Sequence, residues 1–283
     1  MSKTILSGHI ALLVLVILVP GPGGHARAGH PLGTEDAETL GRGAIEVEFN
    51  YERSSAGARE RDTILGNSYT LGLTPGIDLG TSFAYVFHRP GDGSEAVRGM
   101  ADTEVTLKTS FGDREGWTPA LGVKAGALLP TGEETKGLGE GRASGIFTAI
   151  ATWEAEAVLV HLNTGVTIAG RPIGSRDRDD SVSASLAAEW EAHNRYVLVG
   201  EYLWEKNIGG GSESVLSELL VGGKVEISRN LTFDVGIRWG TTDASPDVTY
   251  LAGVTLAYPG EETAENHPQD ERDNTHEVGK ETR

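Results

Sequence analysis

The 283-residue sequence contains no cysteine, few aromatic residues and no long apolar run beyond its N-terminal region. Without cysteine there are no disulfide bonds, no thiolate metal sites and no thiol nucleophiles. Aromatic residues make up only 6% of the chain. A membrane-crossing helix needs about 20 consecutive apolar residues, and none follows the N-terminal region. The sequence therefore excludes a helical membrane protein and a disulfide-stapled domain.

Basic residues are also scarce, because 24 lysines and arginines stand against 41 acidic residues, for a net charge of −17. A nucleic-acid-binding protein needs a basic footprint to neutralise phosphates, and no basic cluster is present. We expect no nucleic acid among the partners of this chain.

The first 28 residues have the three regions of a secretory signal peptide. Lys3 supplies the positive start, Ile10 to Val19 form a short apolar core, and Ala26-Arg27-Ala28 fits a small-x-small cleavage site. The apolar core is too short to cross a bilayer. We predict that residues 1–28 are removed on export.

From Ala44 to Tyr258 the apolar residues recur at every second position, which is the period of a β-strand. The first run alternates Ile45, Val47 and Phe49 with Glu46 and Glu48, so that one face is apolar and the other acidic. Eleven further runs of this kind follow. The facing of one run, Ala143 to Trp153, cannot be settled from its sequence. The connections alternate between short turns and longer loops rich in glycine and charge, and the first two of these loops are expected at Arg53 to Asp62 and His88 to Ala101.

Long strands with alternating turn lengths are typical of an outer-membrane barrel. A soluble β-sandwich is the alternative, but its core could not hold a face of unpaired charges. Aromatic residues also gather at both strand ends, as in interfacial girdles. The sequence predicts an all-β fold over residues 44–258, a transmembrane antiparallel up-and-down β-barrel of about 12 strands in the bacterial outer membrane.

Two segments flank the predicted barrel. Residues 29–43 form a polar lead segment, expected in the periplasm, which either tucks into the mouth of the barrel and narrows it or extends undocked. Residues 259–283 form a charged tail with low hydrophobicity, expected to be disordered. With the N-terminus in the periplasm, the longer loops face the cell exterior.

Three segments resemble the MetA-pathway phenol-degradation family. They are Thr34-Glu35-Asp36-Ala37 with the following Thr39-Leu40-Gly41, the loop from Leu129-Pro130-Thr131-Gly132-Glu133 to Gly141, and the closing Leu251-Ala252-Gly253-Val254-Thr255. The resemblance implies an outer-membrane transporter of small molecules, with hydrophobic or aromatic compounds as a substrate class. The tail after Tyr258 departs from the pattern, because such barrels typically end on the last strand.

The polar phase of the strands predicts the residues that line the lumen. Acidic residues outnumber basic ones on this phase, so a narrow lumen should concentrate cations and let cations or neutral solutes pass more easily than anions. The candidate lumen residues are Glu46, Glu48, Asp78, Glu104, Lys108, Lys124, Glu189, Glu201, Glu218, Lys224, Asp234 and Arg238.

Other functions find weaker support in the sequence. A barrel-embedded hydrolase needs a serine beside a base, with Ser144, Ser183 and Ser185 near His161 as candidates, but Gly-x-Ser-x-Gly is absent. Gly137 to Gly141 lacks the strand and helix context of a nucleotide site. Asp177, Asp179 and Asp180 lack the spacing of a calcium loop.

We therefore predict a channel or transporter without enzymatic activity, cofactor or metal. Its expected partners are a small-molecule solute and the lipid and lipopolysaccharide of the outer membrane. The alternative is a structural or adhesive barrel that conducts nothing. The substrate, the direction of transport and the oligomeric state stay open at the level of sequence.

Overall fold

The computed structural model describes residues 29–57, 60–112, 118–170, 180–193, 195–208 and 214–260. The predicted signal peptide, the tail from residue 261, and the residues Trp117, Asp177 and Asp179 lie outside the described residues. The sequence expectations for them stay predictions.

The described part of the chain consists of antiparallel strands and one short 3-10 helix at Glu134–Lys136. The strands are β1 Ile45–Ala56, β2 Glu60–Thr74, β3 Ile77–Arg89, β4 Val97–Met100, β5 Thr103–Phe111, β6 Ala120–Leu129, β7 Ser144–Ala155, β8 Val158–Ile168, β9 Ser181–His193, β10 Tyr196–Asn207, β11 Val215–Ser228, β12 Leu231–Gly240 and β13 Val248–Tyr258. No described helix has the length and apolar character needed to cross a membrane.

Twelve of these strands form a closed ring, which confirms the predicted fold class. Each strand pairs with its neighbours along the chain, and β1 pairs with both β2 and β13, which closes the sheet. Closure gives each strand of the ring a partner on both sides, so the strand backbones pair within the sheet, while β4 pairs with β3 alone.

The thirteenth strand, β4, was missed because the segment from His88 to Ala101 reads as a loop. Both β4 and β5 pair with β3, at successive stretches of it. The two segments together therefore form the fourth strand of the ring, with β4 at its long-loop end. The break between them falls at Ala101-Asp102, where the Asp102 carboxylate accepts hydrogen bonds from the Gly132 and Glu140 amides of the neighbouring loop.

The first long loop is shorter than the sequence predicts. Residues 53–62 were expected to be a loop, but β1 and β2 continue pairing up to Ala56 opposite Glu60. Their polar residues on both phases hide the strand period, because this part of the hairpin extends past the apolar belt. The connection after β5 also differs from the prediction of a short turn, because β6 begins only at Ala120 and leaves residues 112–119 between the two strands. The remaining connections keep the expected contrast between short turns and longer loops.

The two faces of the wall follow the predicted phase. Leu79, Leu107 and Val235 point outward with 40%, 46% and 62% of their surface exposed. Exposed aromatic rings lie near both rims. Those on the short-turn side are Phe111, Trp190, Tyr196 and Tyr258, and those on the long-loop side are Tyr51, Phe87, Trp239 and Tyr250.

The buried apolar side chains form two small clusters inside the barrel. Leu32 packs with Ala187, Val199, Leu220 and Leu251, and Ala37 packs with Ala120 and Ile150. In both clusters one member comes from the lead segment and the others from inward positions of the wall. The core of this protein is therefore the contact between its lead segment and the barrel wall.

Candidate functional site

Residues 29–40 cross the barrel lumen near its short-turn end; we call them the lumen segment. The wall residues that hold it are Glu48, Asp78, Thr152, Glu201 and Asp234. Each lies within the first six residues of its strand, counted from the short-turn end. Of the two expectations for the lead segment, the structure has the docked one.

Carboxylates of the wall accept hydrogen bonds from the backbone of the lumen segment. The Glu201 side chain accepts the Gly33 amide at 3.1 Å and the Thr34 amide at 2.6 Å. At the other end of the segment, both Asp78 carboxylate oxygens accept the Leu40 amide, at 3.2 and 3.0 Å. An irregular segment has no strand partner for its amides, so these carboxylates satisfy them.

Three further contacts hold the lumen segment, two of them before Gly33 and one between Thr34 and Leu40. The Gly29 amide donates to Glu48 at 3.2 Å, and the His30 ring pairs with Asp234. The Ala37 amide donates to the Thr152 hydroxyl at 2.9 Å. Contacts with five strands of the wall thus determine the path of the lumen segment, and the ion pairs described next add two more strands.

Two acidic side chains of the lumen segment, Glu35 and Asp36, pair with two wall lysines. Lys124 Nζ lies 2.6 Å from Glu35 Oε1, and Lys108 Nζ lies 3.7 Å from Glu35 and 3.5 Å from Asp36. Burial acts to raise the pKa of Glu35, but the two ammonium groups outweigh it and lower the pKa to about 2. Glu35 is therefore ionised at neutral pH.

The remaining bases of the lumen pair with wall acids. Lys224 Nζ lies 3.0 Å from Glu189, and Arg238 lies 3.9 Å from Glu52 and 3.7 Å from Glu218. Each of the four predicted lumen bases, including Lys108 and Lys124, thus has an acidic partner. Two of them, Lys108 and Lys124, pair with Glu35 and Asp36 of the lumen segment. These two bases are therefore already neutralised by acids that the lumen segment brings into the site.

The lumen segment borders a cavity of about 620 Å³. Seven of the twelve candidate lumen residues line it, namely Glu46, Glu48, Asp78, Glu104, Lys108, Lys124 and Arg238. The other five, Glu189, Glu201, Glu218, Lys224 and Asp234, lie on the inward phase away from this cavity. Glu201 and Asp234 instead hold the lumen segment.

Sequence reasoning missed the residues that anchor the segment without charge. These anchors are Thr152, which has none of its surface exposed, and the inward-facing Leu220 and Leu251. The sequence does contain a sign of the apolar anchors, because apolar residues at inward positions break the alternation of apolar and polar residues along a strand. This is why the facing of the strand at Ala143 to Trp153 could not be settled from its sequence.

None of the three serine candidates for a hydrolase forms a hydrogen bond with His161 in the structure. His161 Nδ1 lies 3.0 Å from the Thr152 hydroxyl, and its Nε2 lies 3.3 Å from Glu189. Ser144 bonds instead with Glu140 and the Gly170 amide. Thr152 also accepts the Ala37 amide and is fully buried, so no substrate can reach its hydroxyl in this arrangement.

Among the described residues, one group brings three possible metal ligands together. Glu60, Asp62 and His88 have ligand atoms within 4.8 Å of one another at the long-loop end of β2 and β3. Their carboxylate and imidazole donors suit a divalent transition metal. The His88 Nδ1 to Asp62 Oδ1 contact of 2.5 Å is also that of a hydrogen-bonded pair, which alone accounts for the arrangement.

Comparisons with known proteins agree with this architecture. The family model described as "Putative MetA-pathway of phenol degradation" matches residues 28–258, and the chain belongs to this family. The crystal structure of an outer membrane channel from Pseudomonas putida F1 is similar, with 16% identity over 79% of this chain and 98% of that chain and a TM-score of 0.64. A structure of the NanC porin has 9% identity over 75% and 98% and a TM-score of 0.52. A comparison with curated proteins gives no match.

Proposed function

We propose that this family member is a small-molecule channel of the bacterial outer membrane whose lumen is narrowed by residues 29–40. The observation that carries the proposal is an acid-rich lumen, holding a cavity of about 620 Å³, inside a barrel with an apolar outer face. The fold, shared with an outer membrane channel, supports the location. The signal peptide expected at residues 1–28 supplies the route of export.

The preferred solutes are cations and neutral molecules. Glu46, Glu48 and Glu104 line the cavity together. The two nearby lysines already pair with acids of the lumen segment, and one of them, Lys124, also lies 3.7 Å from Glu104. The acids of the cavity thus exceed the bases available to neutralise them. In a narrow lumen with low-dielectric walls, such an excess concentrates cations. The family description supports aromatic compounds as the class of neutral solute.

The lumen segment sets the width of the passage. Twelve strands give a barrel between the filled eight-stranded barrels and the wide sixteen-stranded porins. A segment laid across such a lumen leaves room for small solutes only. We place the short turns and both ends of the barrel in the periplasm and the longer loops outside, because this is the usual arrangement in outer-membrane barrels.

The test of ion preference is the reversal potential of the mature chain in a planar bilayer across a salt gradient. We expect a cation-selective potential near neutral pH, and Glu46→Gln with Glu48→Gln should weaken it. The matched control is Asp92→Asn with Glu95→Gln, two exposed acids of an outer loop, which should leave the potential unchanged. Anion selectivity of the parent would refute the assignment.

A barrel that conducts nothing is the second candidate, and the docked segment is the observation in its favour. The two functions differ in one measurable property. A closed structural barrel gives no conductance with the segment in place, whereas the proposed channel passes ions around it.

A further inference from the structure

The outward face of the barrel carries charge at only a few strand positions, and all of these charges are basic. Within the described strands, the cross-strand register places Arg53, Arg61, Arg89, Arg98 and Lys206 on the outward phase and no acidic residue there. All five lie toward the long-loop ends of their strands. In a chain with 41 acids and 24 bases, the composition alone would not leave this face without an acid.

Four of these residues form one continuous patch on adjacent strands, which we call the arginine patch. Arg61 lies directly opposite Arg89 across the β2–β3 ladder. Arg53 lies opposite Thr63, and is therefore diagonal to Arg61, on the other side of β2. Arg98 lies opposite Phe87, and is therefore diagonal to Arg89. Diagonal neighbours on one face lie about 7 to 8 Å apart, within reach of long side chains.

Two like charges directly opposite each other on a ladder are unfavourable. All four arginines are exposed, and none forms an ion pair with another described residue. The acids on the same strand ends, Glu60 and Asp62, lie on the inward phase, where Asp62 bonds with His88. The arrangement of Arg61 and Arg89 therefore calls for an anion supplied from outside the chain.

The position of the arginine patch identifies the kind of anion. It lies directly beyond the exposed apolar residues Tyr51, Leu65, Phe87 and Met100 of the same four strands. A side chain there reaches the level of lipid headgroups, and the guanidinium fork matches a phosphate in two-point contact. The long-loop end faces the outer leaflet in the orientation proposed above.

We infer that the arginine patch binds the phosphates of lipopolysaccharide in the outer leaflet. The glycolipid phosphates bridge Arg61 and Arg89, while its acyl chains lie along the apolar face below them. The inference rests on the outer-membrane location and orientation proposed above. It adds a binding surface that is separate from the lumen.

The test uses the purified mature protein in detergent, titrated with rough lipopolysaccharide. Arg61→Gln with Arg89→Gln should weaken binding at least about tenfold, because two charge-assisted phosphate contacts are lost. Arg195→Gln with Arg229→Gln removes the same charge from exposed positions at the short-turn end and should leave the affinity unchanged. Lipopolysaccharide stripped of its phosphates should bind the parent as weakly as intact lipopolysaccharide binds the double variant.

Unchanged affinity in the double variant, or equal loss in the control, would overturn the inference. Equal binding of the dephosphorylated glycolipid would also overturn it, and equally tight binding of phosphatidylglycerol would overturn the choice of lipopolysaccharide. Conductance in phosphatidylcholine bilayers separates this test from that of the channel. The double variant should conduct like the parent, because neither arginine faces the lumen.

Discussion

Replacing Glu201 with alanine should release the lumen segment. The Glu201 carboxylate accepts two backbone amides of the segment, those of Gly33 and Thr34. A hydrogen bond to a charged group contributes about 1.5 to 3 kcal/mol. Because water hydrates the amides of a released segment, we take the lower value for each bond and expect a loss of about 3 kcal/mol of docking free energy. This shifts the docking equilibrium roughly 150-fold.

The assay is the rate at which a thiol reagent labels Thr34→Cys. The substitution keeps the size of the side chain roughly the same, Thr34 is 3% exposed, and the chain has no other cysteine. Labelling therefore reports release of the segment. Glu201→Ala should accelerate labelling up to roughly 150-fold, in proportion to the released population. Glu218→Ala, an acid of the same lumen paired with Arg238, is the control. Equal acceleration in both variants, or none in Glu201→Ala, would refute the reasoning.

Three other results should follow from the structure. Leu107→Arg should cost about 2 to 4 kcal/mol of barrel stability, because it puts a charge into the apolar belt. Ser82→Arg, on the lumen side, should cost little. Denaturant titration in lipid measures both losses, and equal losses would contradict the assigned facing of the strands. Docking should weaken as pH falls from 4.5 toward 2, because protonation of Glu35 removes its pairing with the wall lysines. Since only the thiolate reacts and its fraction falls with pH, the rate for Thr34→Cys is divided by that for Ser94→Cys, an exposed position, at the same pH. This ratio should rise toward pH 2, and a flat ratio would argue against the ion pair. Ala37→Cys with Gly122→Cys should cross-link on oxidation, since a Cβ at 122 would lie 3.4 Å from Ala37 Cα; an unreactive pair would contradict the docked position.

Much of the barrel could be predicted because its strands lie between two different environments. Where the wall separates lipid from a polar lumen, as along Ile45 to Tyr51, each strand must alternate apolar and polar residues. The predicted strand boundaries are inaccurate where the wall no longer separates lipid from the polar lumen. The outer parts of β1 and β2 extend past the apolar belt and have polar surroundings on both faces. Residues 53–56 and 60–62 therefore carry no alternation although they pair as strands.

The lumen contacts were less accessible to sequence reasoning, because they join residues far apart in the chain. Gly33 and Glu201, or His30 and Asp234, meet only after the barrel has closed. The acids themselves could be predicted to face inward, but not that several would hold a backbone segment instead of facing the cavity. Inward apolar residues such as Leu220 were the indirect sign that another part of the chain fills the lumen.

The central claim is that residues 29–40 control passage through the lumen. The most direct test compares single-channel conductance of the mature chain with that of a variant lacking these residues, in the same planar bilayers. We expect a small conductance for the parent and a clearly larger one for the deletion variant, because without residues 29–40 the lumen of the twelve-stranded barrel is wider. Equal conductance in the two proteins would contradict the claim.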